Sequence, residues 1–185
     1  NNKNNKNNKN NKNNKNNKIL YIPNSFLGEI RVFPFAKIID PLLFDWQKYL
    51  IEVLQKNGFD VIYKRHPKGF SSEVNFLGDL ASVQSSKPMI DALEDADMVL
   101  VDTAGSAFVE SLCAGKNIVL INHLQRPFDL NTKQDLKRAV KIVDAYWEDN
   151  ILKIDEKKLI DSFTNFDINK EEIIRVAKDY YLIGE

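Results

Sequence analysis

The chain has 185 residues with 26 basic against 26 acidic side chains, but six of its lysines stand in the opening eighteen residues, which are six copies of Asn-Asn-Lys. That run has no apolar residue to bury and cannot offset its ordering entropy, so residues 1–18 read as a low-complexity filler or disordered tail outside the fold. Residues 19–185 then carry 20 basic against 26 acidic side chains, an acidic balance that argues against nonspecific nucleic-acid binding and requires any anion site to be local.

The remaining 167 residues suit one domain with a substantial core. Cys113 is the only cysteine, so no internal disulfide can form, and a reducing, cytoplasmic setting is expected. Its place in an apolar helical pattern predicts a packing role rather than a nucleophile. No apolar run reaches the roughly 18 residues needed to cross a bilayer, and no stretch reads as a signal peptide.

In chain order, Ile19 to Pro23 is a short apolar strand, and residues 24–39 form a long connection containing Gly28, Glu29, Arg31 and Pro34. Asp40-Pro41 predicts a helix start, with aspartate as N-cap and proline in the first turn. Leu42, Leu43, Trp46, Leu50, Val53 and Leu54 then repeat at helical spacing until Gly58. Phe59 to Tyr63 is the next strand, which completes a strand–helix–strand unit of the kind that builds a parallel sheet. A short strand is expected near Ala81 to Val83 and a short helix from Pro88 to Asp95.

Four apolar residues, Met98 to Val101, then precede Asp102, as in a strand covered on both faces. Thr103 to Ser106 is a small-residue turn, Ala107 to Ala114 a short helix stopped by Gly115, and Lys116 to His123 a second buried strand. Ala139 to Val143 suggests one more strand, and the pattern is helical from Asp155 onward. The fold class expected is α/β: a doubly wound parallel sheet, Rossmann-like, with a helical C-terminus.

Two constellations bear on chemistry. Arg65-His66-Pro67 follows a strand, where the proline keeps the histidine out of a helix and at the sheet edge. An imidazole there can donate to a phosphate oxygen or stabilise a leaving group, and Lys64, Arg65 and Lys68 make the local potential positive. The bland alternative is a solvated turn. The second constellation is Thr103-Ala104-Gly105-Ser106 behind Asp102. Hydroxyls and a glycine at a helix start leave backbone N–H groups and the positive dipole end for an anion. Glu110, four residues on, can accept hydrogen bonds from ribose hydroxyls. Ordinary N-capping plus a solvent-facing glutamate is the alternative. In an open α/β sheet both constellations fall at the carboxyl ends of strands, where ligands bind. His123 and Arg126 flank the same edge as further candidates, with uninvolved loop residues as the equal alternative. Neither a P-loop nor a dinucleotide fingerprint is present, and no set of metal ligands is evident.

With these residues in view, the chain resembles the C-terminal, nucleotide-binding half of a GT-B-type glycosyltransferase. It looks most like the bacterial CDP-glycerol glycerophosphotransferases and polysialyltransferase-like capsule enzymes. Those families pair a histidine–proline motif after one strand, here His66-Pro67, with a serine/threonine motif at a helix start, here Thr103 to Ser106. The resemblance implies a transferase moving a sugar or polyol phosphate from a CMP-, CDP- or UDP-activated donor to an acceptor hydroxyl in surface-polysaccharide synthesis. His66 would be the catalytic residue, and Lys64, Arg65, Pro67, Thr103, Ala104, Gly105, Ser106 and Glu110 the nucleotide-binding ones. No cofactor or metal is implied; the donor is a substrate. The partner implied is a missing N-terminal acceptor domain, without which this half is inactive, and through which the enzyme would reach the inner face of the membrane. Asp102 to Ser106 with Glu110, Gly115-Lys116-Asn117-Ile118-Val119 and Arg126-Pro127 are also similar to the non-hydrolysing UDP-N-acetylglucosamine 2-epimerases. A noncatalytic α/β interaction module is the reading from a different class, compatible with Trp46, Trp147, Tyr180 and Tyr181.

Overall fold

The computed structural model describes residues 17–26, 38–66, 77, 80, 81, 83–122 and 130–180. Its centre is a seven-stranded sheet. Strands β1 (Lys18–Ile22), β2 (Asp60–Tyr63), β3 (Val83–Gln84), β4 (Met98–Val101), β5 (Asn117–Asn122), β6 (Lys141–Glu148) and β7 (Ile151–Ile154) lie in the order β3-β2-β1-β4-β5-β6-β7. The first six pair in parallel and β7 returns antiparallel to β6. This is the doubly wound, Rossmann-like order, and it reverses direction between β1 and β4.

The helices divide between the two faces, following strand alternation. On one face, Ile19, Tyr21, Val61, Tyr63, Met98, Leu100, Val119, Ile121 and Val143 pack with α1 (Asp40–Lys56) and α5 (Glu156–Thr164). On the other, Leu20, Ile62, Val99, Val101, Ile118 and Leu120 pack with α2 (Met89–Glu94), α3 (Ser106–Cys113), α4 (Leu130–Leu136) and α6 (Lys170–Tyr180). We call these the α1 face and the α3 face.

The helix expected after Asp40-Pro41 forms, with Leu43, Trp46, Gln47, Leu50, Ile51, Val53 and Leu54 buried. Its N-cap is Ile39 rather than Asp40, which is the first helical residue and makes no side-chain cap; its charge still lies in the first turn. The stop is as expected: Gly58 adopts φ +84°, a left-handed conformation that glycine takes at low cost. Phe59 stands just before β2, not in it, and its ring packs 5.5 Å from Phe163 of α5.

Four further features differ from the sequence pattern. Lys18, the last residue of the Asn-Asn-Lys run, belongs to β1, and its amide donates to Asp97 Oδ2. The last expected strand continues well past Val143, to Glu148, and turns through Asp149 and Asn150 (φ 50° and 61°) into β7. Helix α4 was not expected; it buries only Leu136. Cys113 is exposed, because α3 turns Phe108, Ser111 and Leu112 inward and position 113 outward. The packing role expected of Cys113 is therefore corrected. Among the described residues, no helix is long and apolar enough to cross a membrane.

Candidate functional site

The carboxyl ends of β2, β1, β4, β5 and β6 form one edge, and the parallel register fixes which residues share it. At its centre, Asp102 follows β4 directly and is 1 % exposed. The Tyr21 hydroxyl from neighbouring β1 donates to Asp102 Oδ2 over 3.1 Å, and the backbone N–H of Asn24 also bonds the carboxyl. Asp102 Oδ1 has no partner. Burial raises the Asp102 pKa from the ordinary 3.8 to about 7, against the lowering effect of these bonds. Burial, with Asp102 beside it, pushes the Tyr21 phenol well above its usual range.

This pair belongs to a larger closed arrangement on the α1 face. The Tyr63 hydroxyl donates to Gln47 Oε1 over 3.0 Å, and Gln47 Nε2 donates to the Asn24 carbonyl over 2.8 Å. The rings of Tyr21 and Tyr63 meet edge to face at 6.1 Å. Asn24 is thus held by its amide from β4 and by its carbonyl from α1. Asp102 stood in the sequence motif, but its pairing with Tyr21 was not expected, since it depends on β1 and β4 being neighbours.

The α3 face of the same edge is organised differently. Helix α3 begins at Ser106 behind Gly105, which serves as N-cap with no side-chain hydrogen bond. Neither Thr103 nor Ser106 caps the helix, so ordinary hydroxyl capping is not what these residues do. The first-turn backbone bonds start with the amides of Phe108 and Val109 on the Gly105 carbonyl. The amides of Ser106 and Ala107 have no backbone acceptor among the described residues. Ala104, Gly105 and Ser106 are exposed, Thr103 half-buried.

Lys64 continues the β2 ladder by donating its amide to the Tyr21 carbonyl over 2.8 Å. It follows Tyr63 of the α1 face, so alternation turns its side chain to the α3 face. The residue is 7 % exposed, and no hydrogen bond or ion pair engages its ammonium among the described residues. Burial lowers its pKa, and the nearby Glu110 carboxylate acts in the opposite sense. A lysine from β2 and a glutamate from α3 therefore share one electrostatic neighbourhood beside the α3 N-terminus.

The other expected site residues fare unequally. Arg65 is buried and makes its own contacts, so it adds less to the exposed potential than expected. His66 is exposed at the strand end and also makes contacts. Pro67, Lys68, His123 and Arg126 lie outside the described residues. No group of three or more histidine, cysteine, aspartate and glutamate side chains suited to a metal occurs among the described residues. A shallow groove lined by Lys141, Asp155, Lys158, Asp161 and Asn165 lies near the start of β6, at the opposite end of the sheet, and contains none of the expected site residues. A scan against protein-family models and a search of curated proteins both find no match.

Proposed function

We propose that this chain is the donor-nucleotide-binding domain of a transferase that moves a sugar or polyol phosphate from a CMP-, CDP- or UDP-activated donor to an acceptor hydroxyl. The observation that carries the reading is the uncapped N-terminus of α3 beside the buried Lys64, whose ammonium has no bonded partner among the described residues, on one face of the sheet's carboxyl edge. Backbone amides with the positive end of a helix dipole bind phosphate, and an ammonium supplies the point charge that such sites use. Glu110 then stands as an acceptor for ribose hydroxyls. In this reading His66, exposed just after β2, meets charge developing on a leaving phosphate, a kind of stabilisation commonly worth several kcal/mol. Contact with a membrane or with an acceptor domain belongs to the same proposal.

Calorimetric titration of the full chain with CMP, CDP, UMP, UDP and GDP tests the reading. One pyrimidine nucleoside diphosphate should bind selectively. Lys64→Ala should weaken it at least about tenfold, or roughly 1.4 kcal/mol, and His66→Ala should weaken it as well. A folded chain that binds none of the five would refute nucleotide binding and favour the interaction module. One observation supports that second reading: Tyr146, Trp147 and Ile151 are 47 %, 44 % and 57 % exposed on the β6–β7 hairpin.

A further inference from the structure

The carboxyl end of β5 and the middle of β6 beside it carry a polar cluster that a phosphate site at α3 does not use. Asn122 closes β5, and its register partner on β6 is Asp144. Positions 118–121 of β5 are all apolar and buried, whereas Asn122 is a polar residue left 6 % exposed. Burying an amide costs free energy unless it is hydrogen-bonded. Its Nδ2 donates to Asp144 Oδ1 over 2.7 Å, and Lys133 of α4 donates to the same oxygen over 3.0 Å. Burial works to raise the Asp144 pKa, but the bonds from Asn122 and Lys133 outweigh it and hold the carboxyl below its ordinary range.

Both donors fall on Oδ1, and the Asp144 side chain is still 49 % exposed, with Lys133 at 25 %. A strand therefore presents a carboxylate fixed through Oδ1 by two donors, on a side chain that solvent and a ligand can still reach. The charges select the ligand. An ammonium at bonding distance already satisfies the carboxylate's charge and repels a metal ion, while the carboxylate repels an anion. Neutral hydroxyl groups suit both, donating to Asp144 and accepting from Lys133. The position fits as well. Leu120 of β5 and Ile142 of β6 pack on the α3 face, so by alternation Asn122 and Asp144 share that face with Lys64 and the α3 N-terminus. Two strand spacings separate β6 from β4, about 10 Å, a span that a phosphate ester and its sugar or polyol can cover.

We propose that Asp144, steered by Asn122 and Lys133, is a subsite for the hydroxyl groups of a sugar or polyol. The phosphate end of that ligand rests on the nucleotide reading above; the subsite itself does not.

Amide NMR of the full chain with glycerol, D-ribose and N-acetylglucosamine, each to about 100 mM, tests this. At least one should cause saturable shifts at Asn122, Lys133 and Asp144. Asp144→Ala should raise its dissociation constant tenfold or more. Asp144→Asn keeps an oxygen acceptor for the Asn122 amide and should show a smaller loss, and it carries the test should the alanine variant fail to fold. No saturable shift with any of the three, or shifts unaffected in both variants, overturns the proposal and leaves the cluster as a tie between β5, β6 and α4. A stronger response of these amides to magnesium than to the hydroxyl compounds overturns it too. Polyol shifts here with no nucleotide shifts at Lys64 and Ser106 would sink the nucleotide reading and leave this subsite standing.

Discussion

The two faces of the carboxyl edge both carry polar groups and treat them in opposite ways. On the α1 face, Tyr21, Asp102, Gln47 and Tyr63 are all buried and bonded to one another or to the segment leaving β1. On the α3 face, among the described residues, the amides opening α3 have no backbone acceptor and Lys64 has no bonded partner, and Asp144 keeps half its side chain in solvent. A closed network holds the chain where it leaves the sheet; the open face offers unspent donors and acceptors. Burial alone does not mark a ligand site: Gln47 is fully buried with both ends of its amide bonded, and Asp102 is buried and bonded through Oδ2 while its Oδ1 keeps no partner.

The largest effect should come from the closed face. Asp102 has a folded-state pKa of about 7 against an ordinary value of 3.8. Between these values the folded chain holds a proton that the unfolded chain has lost. Stability contributed by this group is therefore full below pH 4, falls as pH rises to 7, and is level above it. The fall amounts to about 4 kcal/mol. Asp102→Asn should remove that slope, read as the difference in urea unfolding free energy between wild type and variant at pH 4, 5.5 and 8. Parallel profiles would mean that water reaches Asp102 and that the α1 face is not closed.

A smaller loss tests the same network from α1. Gln47→Leu leaves the Tyr63 hydroxyl without its acceptor and the Asn24 carbonyl without its donor. Losing these two bonds, one buried and one half-buried, should cost about 2 kcal/mol. Lys64→Met on the open face removes a buried charge that has no bonded partner among the described residues, so the variant should be at least as stable as the wild type. Thermal or urea unfolding of both variants makes the contrast measurable, and equal losses would erase the distinction between the faces.

This contrast explains what the sequence discloses. The apolar run Met98–Val101, the short helix stopped at Gly115 and the strand after Lys116 are local signals; the first two form where the pattern places them, and β5 takes Asn117–Asn122 of the third, with His123 outside the described residues. The α1 periodicity is equally plain. Helix α4 buries a single side chain, so it has no stripe to detect. The hairpin was detectable in principle: Asp149-Asn150, both with positive φ, are residue types that tolerate such a turn between alternating strands. Cys113 was misplaced because one apolar residue off the helical stripe looks like part of it. Lys64 within Lys64-Arg65-His66 reads as a solvated basic run, and only the strand register shows that it is buried. The pairings Tyr21–Asp102 and Asn122–Asp144 join residues distant in sequence, so the strand order had to be known before either could be seen.

The smallest effect expected is also the most selective. Glu110 is exposed on α3, and its charge acts on Lys64 without a direct ion pair. Removing that charge with Glu110→Gln should leave the Lys64 ammonium and the α3 amides more attractive to a bare anion, tightening inorganic phosphate by about twofold. The same change weakens the acceptor offered to ribose hydroxyls, so a nucleoside diphosphate should bind about threefold less tightly. Calorimetry with both ligands on both proteins reads the two effects separately. Opposite signs would assign phosphate to Lys64 and α3 and the ribose to Glu110. A shift of the same sign for both would show that Glu110 sets only the potential of the open face, and the ribose would then have to be held elsewhere along the edge.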